Sequence, residues 1–257
     1  VYKRQEYGSS TNPAADRSIT FALLRNGLVI CVPAVLAGIG RIGQSSIYLK
    51  NGSVSTWGAY LGKYRLLMTL ALLGAFALAV SMLPQFQLVL KRRSLRKSRE
   101  KCMVAFRCTA LYTIPCAVLF LTTAQPMLHM LFSKGELNGL DSILKVLAIT
   151  VIFYGLAFML GSVLFAAELY YSIWIAVLVS VVVRLVSFSV MSSVLKLDLY
   201  AGAYSDALSA FVLCLILLGM VRQQLKIAVS WLRVFLAPLL ACLLYTSDAA
   251  DERSSVD

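Results

Sequence analysis

From Arg17 to Arg99 every side chain charged at neutral pH is a cation. Arg17, Arg25, Arg41, Lys50, Lys63 and Arg65 are strung along apolar sequence, and no Asp or Glu stands between Asp16 and Glu100. An ionised group inside a membrane segment costs roughly 2.5–3.5 kcal/mol on insertion scales and usually faces a cavity or a partner. With no acidic neighbour in this stretch, the cations need an anion from elsewhere. A phosphate-bearing ligand would serve, because guanidinium pairs well with phosphate oxygens. Arg25 and Lys63 also have a plainer reading, in which they snorkel from helix ends to the interface. Arg41 lies deeper. Arg41, Gln44, Ser45 and Tyr48 recur at helical spacing and form one polar face, as a water-filled lumen requires. On a straight helix Arg25 and Arg41 point in nearly opposite directions, so they share a lumen only if the Pro33 region rotates one half against the other.

Other chemistry is thinly represented. Arg184 sits mid-segment, so it is either functional or paired, and Asp206 in the next segment is its partner by sequence, although Asp206 lies nearer a segment end. His129 is the single histidine, which excludes a multi-His metal site and a recognisable catalytic pair. No Ser-His-Asp order, nucleophile elbow or carboxylate pair is present. Cys31, Cys102, Cys108, Cys116, Cys214 and Cys242 form no C-x-x-C pair and mostly lie in apolar sequence, so they read as small apolar side chains. Gly38-Ile39-Gly40-Arg41-Ile42-Gly43 is formally G-x-G-x-x-G, but it lacks a preceding strand and an acidic residue about 20 positions on. It reads as a flexible or closely packed membrane helix.

These residues must be carried by membrane helices. The 257 residues are 60% hydrophobic and 14% charged, whereas a soluble domain carries about 25% charged residues. The net charge of +12 does not indicate nucleic acid, because the basic residues cluster at segment ends without an aromatic-plus-basic stripe. Apolar segments run at about 19–47, 64–90, 102–124, 143–167, 172–196, 203–221 and 227–245. Each meets or approaches the roughly 20 residues needed to cross the hydrocarbon, and none alternates with period two, so they are helices. The expected fold is an all-α, polytopic bundle of about seven transmembrane helices.

The run Lys91-Arg92-Arg93-Ser94-Leu95-Arg96-Lys97-Ser98-Arg99-Glu100-Lys101 fixes the direction of the crossings, since cation-rich loops stay cytoplasmic. The turns at Glu168–Tyr171 and Arg222–Lys226 then face inward. Lys50 to Lys63, Gln125 to Asp141 and Lys196 to Ala201 form the outer loops. Val1–Gln5 and Cys242–Glu252 resemble conceptual translations of sequencing-adapter DNA. The expected division is therefore residues 1–18 as an unstructured or artefactual segment, 19–241 as the bundle, and 242–257 as an artefactual polar tail.

Pro33 breaks the first segment, and Leu83-Pro84-Gln85 closes the second before the cationic loop. Pro115 interrupts the third, and the outer turn Pro126-Met127-Leu128-His129-Met130-Leu131-Phe132 follows. In this order the chain resembles the C-terminal half of the polysaccharide-biosynthesis flippases related to stage V sporulation protein B. That group is similar to the lipid II flippase and shares a superfamily with the multidrug and toxin extrusion transporters. The resemblance covers about 19–241. It departs at Gly161–Glu168, where relatives often have a Gln and a Gly-Lys.

The resemblance implies a second helical lobe of the multidrug-and-toxin-extrusion type, whose N-terminal lobe lies elsewhere in the same protein, in the bacterial cytoplasmic membrane. It implies a flippase, not an enzyme, moving an undecaprenyl-diphosphate-linked saccharide for cell-wall or surface polysaccharide by alternating access. Arg25, Arg41 and Arg65 would receive the diphosphate, with Asn26, Gln44 and Gln85 as polar support and Pro33, Gly38 and Gly40 as hinge. Membrane lipids are the other expected partner; no cofactor, metal or nucleic acid is expected. Two alternatives stay open. A cation-coupled drug exporter of the same fold wants membrane-embedded carboxylates, and only Asp206 comes near. A membrane glycosyltransferase or ligase wants acidic or histidine catalysts beside a substantial loop, and the longest outer loops are short, with only Glu136 and Asp141 acidic in them.

Overall fold

Apolar runs this long must close their backbone hydrogen bonds within themselves, and among the described residues the chain does so with helices alone. The computed structural model describes residues 13–50, 52–91, 95–124, 126, 141–194 and 198–225. The segment expected at 227–245, the outer turn beyond Pro126 and the polar tail lie outside these residues. The elements are α1 (Pro13–Tyr48), α2 (Val54–Ala59), a π-helical turn (Tyr60–Arg65), α3 (Leu66–Lys91), α4 (Leu95–Thr122), α5 (Asp141–Ala166), α6 (Tyr170–Ser193) and α7 (Asp198–Leu225). Val54–Leu90, Ser98–Thr122, Ser142–Ala166, Tyr170–Ser193 and Leu199–Leu225 are each long and apolar enough to cross a membrane. They match the second to sixth expected segments. α1 takes the place of the first, beginning at Pro13 rather than at 19.

Helix α5 is the central post. It packs against α3, α4 and α7; α7 also packs on α6, and α6 carries α1. One buried cluster joins Phe86, Phe106, Leu160, Leu164 and Leu217, and another joins Trp57, Tyr60, Tyr64, Leu147 and Phe188. Leu70, Leu73, Phe76, Val80, Leu111, Val182 and Val186 are exposed. Such an apolar exterior suits acyl chains and not water. Where lipid removes the hydrophobic drive between helices, small residues permit close approach. A Cβ on Gly40 would sit 2.8 Å from Val181 Cγ1, so α1 and α6 meet there nearly backbone to side chain.

The expected boundaries shift for identifiable reasons. The outer loop placed at Lys50 to Lys63 is mostly helix, since α2 starts at Val54. Ser53 caps it by accepting from the Thr56 amide at 3.3 Å. Tyr48 stacks on Trp57 with centroids 4.6 Å apart, and Trp57 on Tyr60 at 5.1 Å, which clamps α2 to the end of α1. The prolines do not end their helices either: α1 runs through Pro33, α3 through Pro84 to Lys91, and α4 through Pro115 to Thr122. Pro84 and Pro115 both lie on exposed faces. Membrane helices tolerate proline because local adjustment and neighbouring groups satisfy the freed carbonyl.

Candidate functional site

Four helices deliver polar side chains to one level. At 1.5 Å per residue, Arg184 lies about 14 Å from the Ser193 end of α6, and Asp206 about 12 Å from the Asp198 end of α7. Arg65 lies about 16 Å below Val54, and Arg41 about 10 Å from Tyr48. The depth difference expected between Arg184 and Asp206 therefore disappears. Helix α7 starts at Asp198 rather than at 203, which sinks Asp206 by about 7 Å. The two residues pair, with Arg184 Nε 3.2 Å from Asp206 Oδ1.

Asp206 is 1% exposed and serves more than one partner. Tyr60 donates its hydroxyl to Oδ2 at 3.3 Å, and Arg65 Nη2 lies 3.7 Å from the same oxygen. In a regular α-helix, residues five apart point about 140° apart. The π-helical turn at Tyr60–Arg65 closes i→i+5 and brings the fifth residue back beneath the first, so both side chains reach one carboxylate. Gly202, one turn before Asp206, leaves room for the ring: a Cβ there would meet Tyr60 Cζ at 3.0 Å.

Arg184 is held from several sides. Its Nε donates to Ser209 Oγ at 3.3 Å, and its Nη2 donates to the Tyr154 hydroxyl. Ser180 Oγ ties α6 to the Ser209 carbonyl at 3.1 Å. The Nε hydrogen is aimed at Ser209, so the contact with Asp206 Oδ1 is Coulombic and not a hydrogen bond. Accordingly Asp206 Oδ1, Arg184 Nη1 and Gln44 Oε1 are buried without hydrogen-bond partners among the described residues.

Beside this layer is an open groove of about 450 Å³, walled by Arg41, Ser45, Ser46, Arg65 and Thr69 together with Ile42, Leu49, Leu61 and Leu66. Arg41 is exposed, and among the described residues no carboxylate lies within ion-pairing distance of it. The polar face expected on α1 divides in two. Arg41 and Ser45 line the groove, while Gln44 is fully buried and donates to Ser205 Oγ at 3.1 Å, and Tyr48 is buried in the aromatic stack.

The remaining expected residues lie elsewhere. Gln85 is exposed on α3, about 30 Å along the helix from Arg65, so it does not join the groove. Arg25 and Asn26 fall within α1, and their side chains lie outside the described residues. Pro33 and Gly38 are on α1 below the groove; Gly38 has open space where a Cβ would go, and Gly40 is packed on Val181. Tyr60, Tyr154, Ser180, Ser205 and Ser209 went unread in the sequence. For α7 a signal existed: Ser205, Asp206 and Ser209 form a one-turn polar stripe, well inside the charged and amide residues at the two ends of the helix.

The counter-ion expectation also changes. Arg65 has a carboxylate after all, supplied by α7 rather than by its own helix. Arg41, Arg65 and Arg184 set against Asp206 leave two positive charges in surplus, and the two groove-lining guanidiniums are where an anion would meet them. Among the described residues no group of His, Cys, Asp and Glu could hold a metal ion.

A bundle of helices long and apolar enough to cross a membrane, with an open groove lined by two arginines, defines a polytopic membrane protein. The family model described as "Lipid II flippase MurJ" matches residues 40–251, and the chain belongs to that family. Its members are flippases of a lipid-linked saccharide, transporters of the cell-wall precursor rather than enzymes. No curated protein matches the chain.

Proposed function

We propose that this chain is the C-terminal lobe of a flippase that carries an undecaprenyl-diphosphate-linked saccharide across the bacterial cytoplasmic membrane by alternating access. The groove between α1 and the π turn receives the diphosphate. The supporting observation is the convergence of Arg41 and Arg65, from different helices, on one open groove. Its volume lies within the roughly 300–1,000 Å³ usual for ligand sites. Ser45, Ser46 and Thr69 offer hydroxyls to phosphate or sugar oxygens, while Ile42, Leu61 and Leu66 give the start of a lipid chain an apolar wall. An N-terminal lobe of the same protein would close the open side. Pro33, Gly38 and Gly40 remain the proposed hinge, with Gly40 as the contact on which α1 turns against α6.

A drug exporter would need a membrane carboxylate open to a coupling cation. Asp206 is instead occupied by Arg184 and Arg65, which speaks for the flippase. The test is complementation of a flippase-depleted bacterial strain by the full-length protein. Arg41→Ala with Arg65→Ala should abolish growth while membrane expression is kept. Full growth of that double variant would remove the groove from the mechanism.

A further inference from the structure

Resting on that reading, we infer that Arg65 exchanges partners, held by Asp206 when the groove is empty and passing to the cargo's phosphate when it is filled. Asp206 is thus a positioning residue that sets how tightly the groove holds its cargo. The two arginines on Asp206 are not equivalent. Arg184 is 5% exposed, approaches Oδ1 to 3.2 Å and is anchored by Ser209 and Tyr154. Arg65 is 14% exposed and 3.7 Å from Oδ2, and among the described residues its guanidinium makes no hydrogen bond. It also lines the groove, which it shares with Arg41.

Removing one partner of a buried ion pair is normally severe, because the other charge stays behind uncompensated. Here the structure avoids that penalty. If Arg65 turns to a phosphate, Asp206 still has Arg184 and the Tyr60 hydroxyl, a neutral pair with a donor on the freed oxygen. The carboxylate therefore competes with the cargo for one guanidinium without being stranded when it loses. An empty groove keeps Arg65 in place, and a filled one can be emptied because an internal anion is waiting. Tyr60 adjusts the competition: it donates to the same Oδ2 that faces Arg65 and thereby weakens that oxygen's hold on the guanidinium.

The two residues should then act with opposite sign. Binding of farnesyl diphosphate to the full-length protein in detergent, with farnesol as the phosphate-free control, gives the readout. Asp206→Asn removes the competing charge and should tighten farnesyl diphosphate binding about tenfold. Tyr60→Phe leaves every charge in place, frees Oδ2 for Arg65, and should weaken binding about threefold. Both effects should vanish in an Arg65→Gln background. An Asp206→Asn variant with unchanged or weaker binding, or the same gain with Arg65→Gln present, overturns the exchange while the groove reading stands. Should Asp206→Asn not fold, Tyr60→Phe decides alone, and unchanged or tighter binding overturns the exchange. Wild-type protein that binds farnesyl diphosphate no better than farnesol overturns the groove reading and the exchange together.

Discussion

At Arg184 and Asp206, deleting one charge and deleting the pair have different consequences. Arg184→Met takes away the closer of the two cations on a carboxylate that is 1% exposed. Breaking a buried pair in this way typically destabilises by about 3–5 kcal/mol. The lower end applies here, because Arg65 and Tyr60 remain on Oδ2. The expected result is a clear drop in apparent melting temperature in detergent, compared at one scan rate because such unfolding is often irreversible. Adding Asp206→Leu should restore most of the loss, since no charge is then stranded and Arg65 can turn into the groove. A double variant no more stable than Arg184→Met would mean that the network's hydrogen bonds, and not its charges, hold α6 to α7. The sequence made this pair visible as a candidate and made Arg41 visible as a groove residue. It did not show Arg65 reaching Asp206, because that contact joins helices far apart in the chain and depends on where α7 begins.

Helix ends and helix contacts carry their own expectations. The end of α5 is a Schellman closure: the Leu169 amide donates to the Leu164 carbonyl and the Glu168 amide to the Phe165 carbonyl, both at 3.0 Å. Glu168 occupies the left-handed position with φ 61°, where a residue with a Cβ is disfavoured by about 1–2 kcal/mol and glycine is not. Glu168→Gly should therefore stabilise the bundle by about 1 kcal/mol, read as a rise in apparent melting temperature. At the α1–α6 contact the sign reverses. Gly40→Ala puts a methyl 2.8 Å from Val181 Cγ1, and overpacking of this kind costs about 1–3 kcal/mol. Val181→Ala should relieve it, so a double variant close to wild type is the outcome that identifies the clash. Element identity was legible because apolar length alone dictates helices in a bilayer. Element ends were not, because the sequence rules for proline and loops come from water. The π turn at Tyr-Leu-Gly-Lys-Tyr-Arg has no compositional signature; it is stabilised by what Tyr60 and Arg65 reach on another helix.

Across the whole molecule, charge and level combine into a direction. The cationic run near Lys91 and the Arg41–Arg65 groove stand toward opposite ends of the helix from Val54 to Lys91. Arg65 lies about 39 Å from Lys91 and about 16 Å from Val54. If the cationic run stays cytoplasmic, the groove belongs to the outer half of the bundle, on the side where a flippase releases its cargo. An exchangeable Arg65 fits that side better than a permanently free one, because release needs an anion to take the guanidinium back. Topology can be read with a membrane-impermeant maleimide on a full-length protein whose native cysteines have been replaced. Ser46→Cys lines the groove and should label in intact cells. Arg99→Cys, exposed within the cationic run, should label only after permeabilisation. Farnesyl diphosphate should slow labelling at Ser46→Cys and leave Arg99→Cys unaffected. The reverse labelling pattern would turn the bundle over and make the groove an entry site, where a carboxylate competing for Arg65 would oppose loading instead of assisting release.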